Sequence, residues 1–186
     1  MATQSFKVVF TLDDDDRKYF RGLVKAARKA ATSEDESKIV DGAKQLVARM
    51  RGAAKTPTFV LEAVAVLEDL TAIIEDGDYA APRAVRDRVL GALAYFANPG
   101  DLIPDDVPVF GFLDDALMIK LVEQEFRHEL WAFRKFRTFR DGAEQRPWTQ
   151  AARDRLPKRL ADKRSQLRAA VDLRHKRDAT RSKLFG

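Results

Sequence analysis

The sequence predicts an all-α protein: a helical bundle of five to six helices, with a short extended N-terminal segment and a basic C-terminal helix. Three observations carry that expectation. Apolar residues recur at helical spacing through most of the chain. Capping residues or prolines precede these runs, and glycine or proline closes several of them. Strand-like alternation is confined to Ser5 through Leu12, where Phe6, Val8, Phe10 and Leu12 alternate with Lys7, Val9 and Thr11.

Each element has its own justification. Asp13 to Asp16 precede an apolar face of Tyr19, Phe20, Leu23, Val24 and Ala27, so the acids fall where a helix N-terminus favours negative charge. As adjacent residues they splay around the helix and cannot converge on one ion, which favours capping over metal binding. Ser33 and Glu36 have capping-box spacing and open a second helix with the face Ile39, Val40, Ala43, Leu46, Val47 and Met50, closed by Gly52. Thr56 and Pro57 start a third helix. From Phe59 to Ile74 its apolar residues nearly encircle the cylinder, with Glu62, Glu68 and Asp69 as exceptions, which predicts the middle of the bundle.

After Gly77, Pro82 opens a fourth helix carrying Val85, Val89, Ala92, Leu93 and Phe96, and Pro99 ends it. A long helix is predicted from Leu113 or Asp114 to Arg140, with Leu117, Leu121, Phe126, Leu130 and Phe133 facing inward. Gly142 to Trp148 reads as a break. The final stretch, Thr149 to Thr180, has a narrow stripe of Leu156, Leu160, Leu167 and Val171, interrupted early by Pro157. This divides the chain into a helical domain over 1–141 and a basic helical extension over 142–186.

The chain has 186 residues, 45% hydrophobic and 34% charged, enough for one core with an appended arm. Without cysteine there is no disulfide, thiolate nucleophile or sulfur-based zinc site. The first ten residues do not read as a secretory signal. The longest uncharged stretch, Val89 to Gly100, spans 12 residues. A membrane span needs roughly 18 to 20, so the expectation is a cytoplasmic protein that does not cross a membrane. Charge is uneven: residues 127–186 hold 18 Lys and Arg against 7 Asp and Glu, whereas 1–126 hold 16 against 22. A basic tail on an acidic body suits either an anionic partner or pairing within the chain.

The segment between the fourth and fifth predicted helices is the most distinctive. Leu93-Ala94-Tyr95-Phe96, Pro99, Asp101-Leu102-Ile103-Pro104-Asp105, Pro108, Gly111 and Leu113-Asp114-Asp115-Ala116 resemble the pattern of the YkvA-like family, a small helical domain of unknown function. The resemblance covers about residues 82–122. It implies a helical domain found mainly in bacteria and brings no catalytic residues with it. The chain departs from the family at Asn98 and Gly100, which touches the turn and leaves the acids in place.

Physically, Pro99, Gly100, Pro104, Pro108 and Gly111 make this connection rigid and sharply bent, with its apolar residues packed inward. Asp101, Asp105 and Asp114 are suited to accept backbone N–H bonds as turn or cap residues. The alternative is a divalent-metal-dependent hydrolase in which Asp101, Asp105 and Asp115 hold Mg²⁺ or Mn²⁺. Spacing gives that alternative little support, since Asp114 and Asp115 lie about 100° apart on a helix and the next turn offers no ligand. His128 would stand roughly 20 Å farther along a straight helix. His128 reads as an ordinary, partly buried histidine and His175 as a solvated one.

The basic region supplies a third reading. Arg134, Lys135, Arg137 and Arg140 interleave with Phe133, Phe136 and Phe139, and Lys158, Arg159, Lys163 and Arg164 continue the charge. Such a surface can bind nucleic acid or an anionic membrane, although a solvated charged helix has the same appearance. With no Gly-rich phosphate loop, no His-rich metal motif and no nucleophile paired with a base, the expected role is a non-enzymatic interaction or scaffold module. It needs no cofactor, and its expected partner is a protein.

Overall fold

The computed structural model describes residues 9, 11, 13–30, 35–53, 56–97, 112–145 and 149–185; among these there are helices and no strand. The helices are α1 (Asp14–Ala30), α2 (Glu36–Gly52), α3 (Thr58–Glu75), α4 (Arg83–Ala97), α5 (Leu113–Glu125), α6 (Arg127–Glu144), α7 (Gln150–Asp154) and α8 (Leu156–Phe185). The all-α expectation holds. Two breaks turn the expected five or six helices into eight helical segments among the described residues. The extended N-terminal segment falls outside those residues except for Val9 and Thr11, and neither is in a strand.

The first break is at Phe126, whose ψ of 14° departs from helical geometry. The hydrogen-bond ladder still passes through it, because its N–H donates to the Val122 carbonyl at 2.9 Å and its own carbonyl accepts from the Leu130 N–H at 2.9 Å. The second is at Arg155 and has a chemical cause: Pro157 has no N–H to continue the ladder of α7. It sits instead in the first turn of α8, where a missing donor does not matter. Gly142, expected in a break, lies inside α6, which runs on to Glu144.

Local capping follows the sequence closely, with one correction. Asp13 and Asp16 form a reciprocal box at the start of α1: the Asp16 N–H donates to Asp13 Oδ1 at 2.8 Å and the Asp13 N–H to Asp16 Oδ2 at 3.1 Å. The cap of α2 is Asp35, which accepts from the Ser37 N–H at 3.1 Å; Ser33, the expected cap, lies outside the described residues. All six apolar positions expected on α2 are buried.

The bundle is organised around α3, which packs against α2, α4, α5 and α6. Its apolar girdle is incomplete at the first turn, where Phe59 and Leu61 are exposed. Helices α2 and α4 cross closely at Gly42, where a Cβ would meet the Ala97 Cβ at 2.7 Å, so only glycine allows that approach. On α5 the buried face is Asp115, Ala116, Met118, Ile119 and Val122, a rotation away from the expected Leu117 and Leu121, which are only partly buried. Helix α1 lies over α4 and α8 over α6, with Leu160 and Leu167 of α8 entering the same core as Phe133 and Phe136. Each fully buried side chain of this kind stabilises the fold by about 1.5–3 kcal/mol.

Candidate functional site

Of the acids in the distinctive segment, only Asp114 and Asp115 are described. They occupy the first turn of α5, with Asp115 buried and Asp114 partly so, where the helix dipole favours both charges. Asp101, Asp105, Pro99, Gly100, Pro104, Pro108 and Gly111 lie outside the described residues. Among the described residues, no three His, Asp or Glu side chains are grouped to hold a metal ion.

The C-terminal cations are drawn onto the body of the protein. Asp69, an apparent exception on the apolar cylinder of α3, accepts from Arg134 Nε at 2.6 Å and from Arg137 at 3.0 Å. Immediately after α3, Asp76 takes both Arg140, at 2.8 Å, and the Tyr79 N–H, at 2.9 Å. Burial works against the Arg140 charge, but its contacts with Asp76 and Asp78 more than offset that, and its pKa is raised. Arg164 donates to the Asp78 carbonyl at 2.8 Å and Arg168 to the Ala80 carbonyl. Ala80 has φ +44°, a left-handed conformation in which an alanine is strained, and its N–H is held by the Asp76 carbonyl at 2.9 Å. The turn after α3 is therefore clamped from α6 and α8 together. Arg159 and Lys163 sit over the Phe139 ring, and Lys135 and Lys158 are exposed.

A second cluster fastens α8 to α6. Glu129 is buried and receives Arg88 from α4 and His175 from α8, each at 3.2 Å. His128, also buried, contacts Asp178 at 2.7 Å, and Arg127 reaches the same carboxylate. The two imidazole rings stack edge to face, with centroids 4.9 Å apart. Hydrogen bonding from His128, then from Arg127, pulls the Asp178 pKa below its ordinary value. His175, expected to be solvated, is exposed and also contacts the buried Glu129. Tyr79, packed against Phe133 and Phe136, has its pKa pushed up to about 12, chiefly by burial. The Glu129 and His128 contacts tie α8 to α4 and α6, an arrangement that suits a lock.

A concave surface lies between α1, α4, α5 and the α5–α6 junction. It is a groove of about 530 Å³. Its apolar floor is partly exposed at Phe20, Val24 and Leu121, which overlie the buried Ala92, Met118, Val122 and Phe126. Along one wall run Arg17, Arg21, Lys25 and Arg28 of α1; across from them stand Arg88 and Arg127. The opposite wall is already neutralised, Arg88 by Glu125 and Glu129 and Arg127 by Asp178. On α1, Arg17 meets the fully exposed Asp14 at 3.7 Å, whereas Arg21, Lys25 and Arg28 have no carboxylate partner among the described residues. The Arg28 stem lies across Gly91, where a Cβ would come within 2.7 Å of it.

Sequence reasoning centred on the apolar side of α1 and overlooked this row. The signal was there: positions 17, 21, 25 and 28 are spaced by four, four and three, one face of a helix. Asp69, Glu129 and Asp178 were also overlooked as anchors, because nothing local shows which acid a distant arginine will reach.

Residues 88–121 match a family described as protein of unknown function (DUF1232), within the stretch that resembles the YkvA-like pattern. The match takes in the second half of α4 and most of α5, under a fifth of the chain. No curated protein and no solved structure matches the chain.

Proposed function

We propose that the chain is a non-enzymatic interaction module and that its docking surface is the groove between α1, α4 and α5. The observation that carries this reading is the combination of an apolar floor with a row of α1 cations lacking carboxylate partners among the described residues. Apolar surface supplies affinity, and unneutralised charge supplies selectivity and a fast encounter. Nucleic-acid or membrane attachment through the C-terminal cations has less to work with, because Arg134, Arg137, Arg140 and Arg164 already serve the body of the protein. The metal-hydrolase alternative depends on Asp101 and Asp105 and stays a proposal of lower rank.

The test compares the wild-type chain with R21E/K25E/R28E. The interaction reading expects a partner recovered from native cells by the wild type and lost by the variant, with no turnover of a generic phosphoester in Mg²⁺ or Mn²⁺. Metal-dependent turnover that disappears in Asp101→Asn and Asp105→Asn would overturn it.

A further inference from the structure

We propose that the groove receives an acidic amphipathic helix of a partner protein; this rests on reading the chain as an interaction module. Three features point to that ligand. The α1 cations without a carboxylate partner among the described residues extend from Arg21 to Arg28, about 10 Å at 1.5 Å per residue, and step along the wall one turn at a time, with Arg17 a turn before them beside Asp14. A partner helix with carboxylates at matching i, i+4 positions meets such a row charge for charge. A single anionic head group would engage one end of it and leave the rest unmatched.

The floor points the same way. It is mostly aliphatic, and of its two aromatic rings Phe126 is 1% exposed with Arg88 lying over it at 5.0 Å, which leaves the partly exposed Phe20 as the one ring among the described lining residues on which a base could stack. Leu, Ile and Met side chains of an amphipathic helix fit it. Concavity suits a rod-like ligand better than a flat bilayer, with the partly exposed Val24 and Leu121 as the residues such a rod would cover. The apolar face of α1 is itself incompletely covered, with Phe20, Leu23, Val24 and Ala27 all partly exposed, which leaves area for a partner to bury.

Fluorescence anisotropy on the full chain tests this with defined probes. The first is a synthetic peptide of about four turns, with leucines along one face and glutamates on both flanks. The others are the same peptide with lysines for the glutamates, a single-stranded oligonucleotide, and phosphatidylglycerol vesicles. The expected result is saturable binding of the glutamate peptide, weakened at least about tenfold by R21E/K25E/R28E and progressively by salt. Leu121→Glu, which places a charge on the floor, should also abolish it; circular dichroism checks that both variants keep their helix content.

Binding of the lysine peptide in preference, sensitive to Leu121→Glu, overturns the acidic ligand and leaves the groove as the docking surface. Charge-dependent capture of the oligonucleotide or the vesicles without the glutamate peptide also overturns the proposal. If no probe binds and R21E/K25E/R28E still recovers the native partner, the groove reading itself fails.

Discussion

Two cationic regions of this molecule, α1 and the α6–α8 pair, look alike in composition and differ in what their charges do. On α6 and α8, arginine after arginine ends on a carboxylate or carbonyl of the body: Arg134 and Arg137 on Asp69, Arg140 on Asp76, Arg164 and Arg168 on the turn after α3. On α1, three cations in succession have no carboxylate partner among the described residues. Density of positive charge in a sequence is therefore a poor guide to which cations the fold leaves without a carboxylate. Cations next to a folded acidic body are consumed in holding the fold, and a sparser row facing an apolar groove stays available.

The comparison can be broken most forcefully beneath the C-terminal region. Phe136 is fully buried, packs its ring at 5.4 Å from Tyr79 and carries the Arg140 guanidinium at 5.6 Å. Phe136→Ala is expected to lower stability by about 3–5 kcal/mol in urea unfolding. A loss under about 1 kcal/mol would mean that α6 is not packed as described.

Removing an anchor has a smaller effect and a more telling one. Asp76→Ala takes away the acceptor for Arg140 and for the Tyr79 N–H at a site close to nine-tenths buried, and should cost about 2–3 kcal/mol. It should also lengthen salt-dependent retention on heparin, because Arg140 loses its main partner. Unchanged retention would show that pairing is not what withholds the C-terminal cations from anions.

How much of this was legible in advance differs between fold and site. The core of α2 was readable position by position, since its spacing is local and helical. The break at Arg155 was half readable through Pro157; that at Phe126 was not, because its apolar spacing runs on unbroken from Val122 to Leu130. Asp69 shows the limit most clearly. On the helical wheel it is a polar flaw in a buried cylinder, and its role appears only when Arg134 and Arg137, over sixty residues later, arrive beside it. The groove is likewise a product of three helices meeting, whereas the family-like segment at 98–111 is vivid in sequence and lies outside the described residues.

The α1 row should behave in the opposite way to the Asp76 anchor. Arg21, Lys25 and Arg28 hold no carboxylate among the described residues, so reversing all three should change stability by only about 1 kcal/mol or less, most of it from the Arg28 stem over Gly91. Thermal unfolding would check this. A loss comparable to that of Asp76→Ala would place the α1 row among the structural cations and remove the contrast.

The smallest effect concerns acid, and its sign follows from Asp178. The carboxylate faces His128 and Arg127, and its pKa is lowered in the folded state, first by hydrogen bonding from His128 and then by Arg127. A folded-state pKa below the unfolded value contributes stability that is fully present above the ordinary aspartate range of about 3.9 and is lost as pH falls through the lowered value. Asp178→Asn keeps an acceptor and removes the charge. Its stability deficit relative to wild type should therefore be constant from neutrality down to about pH 5 and shrink below about pH 4 in urea unfolding. A deficit unchanged in strong acid would assign the contact to hydrogen bonding or packing alone. R21E/K25E/R28E sharpens the contrast: Arg21, Lys25 and Arg28 have no acid to protonate among the described residues in the wild type, so these three cations should contribute no stability transition of this kind.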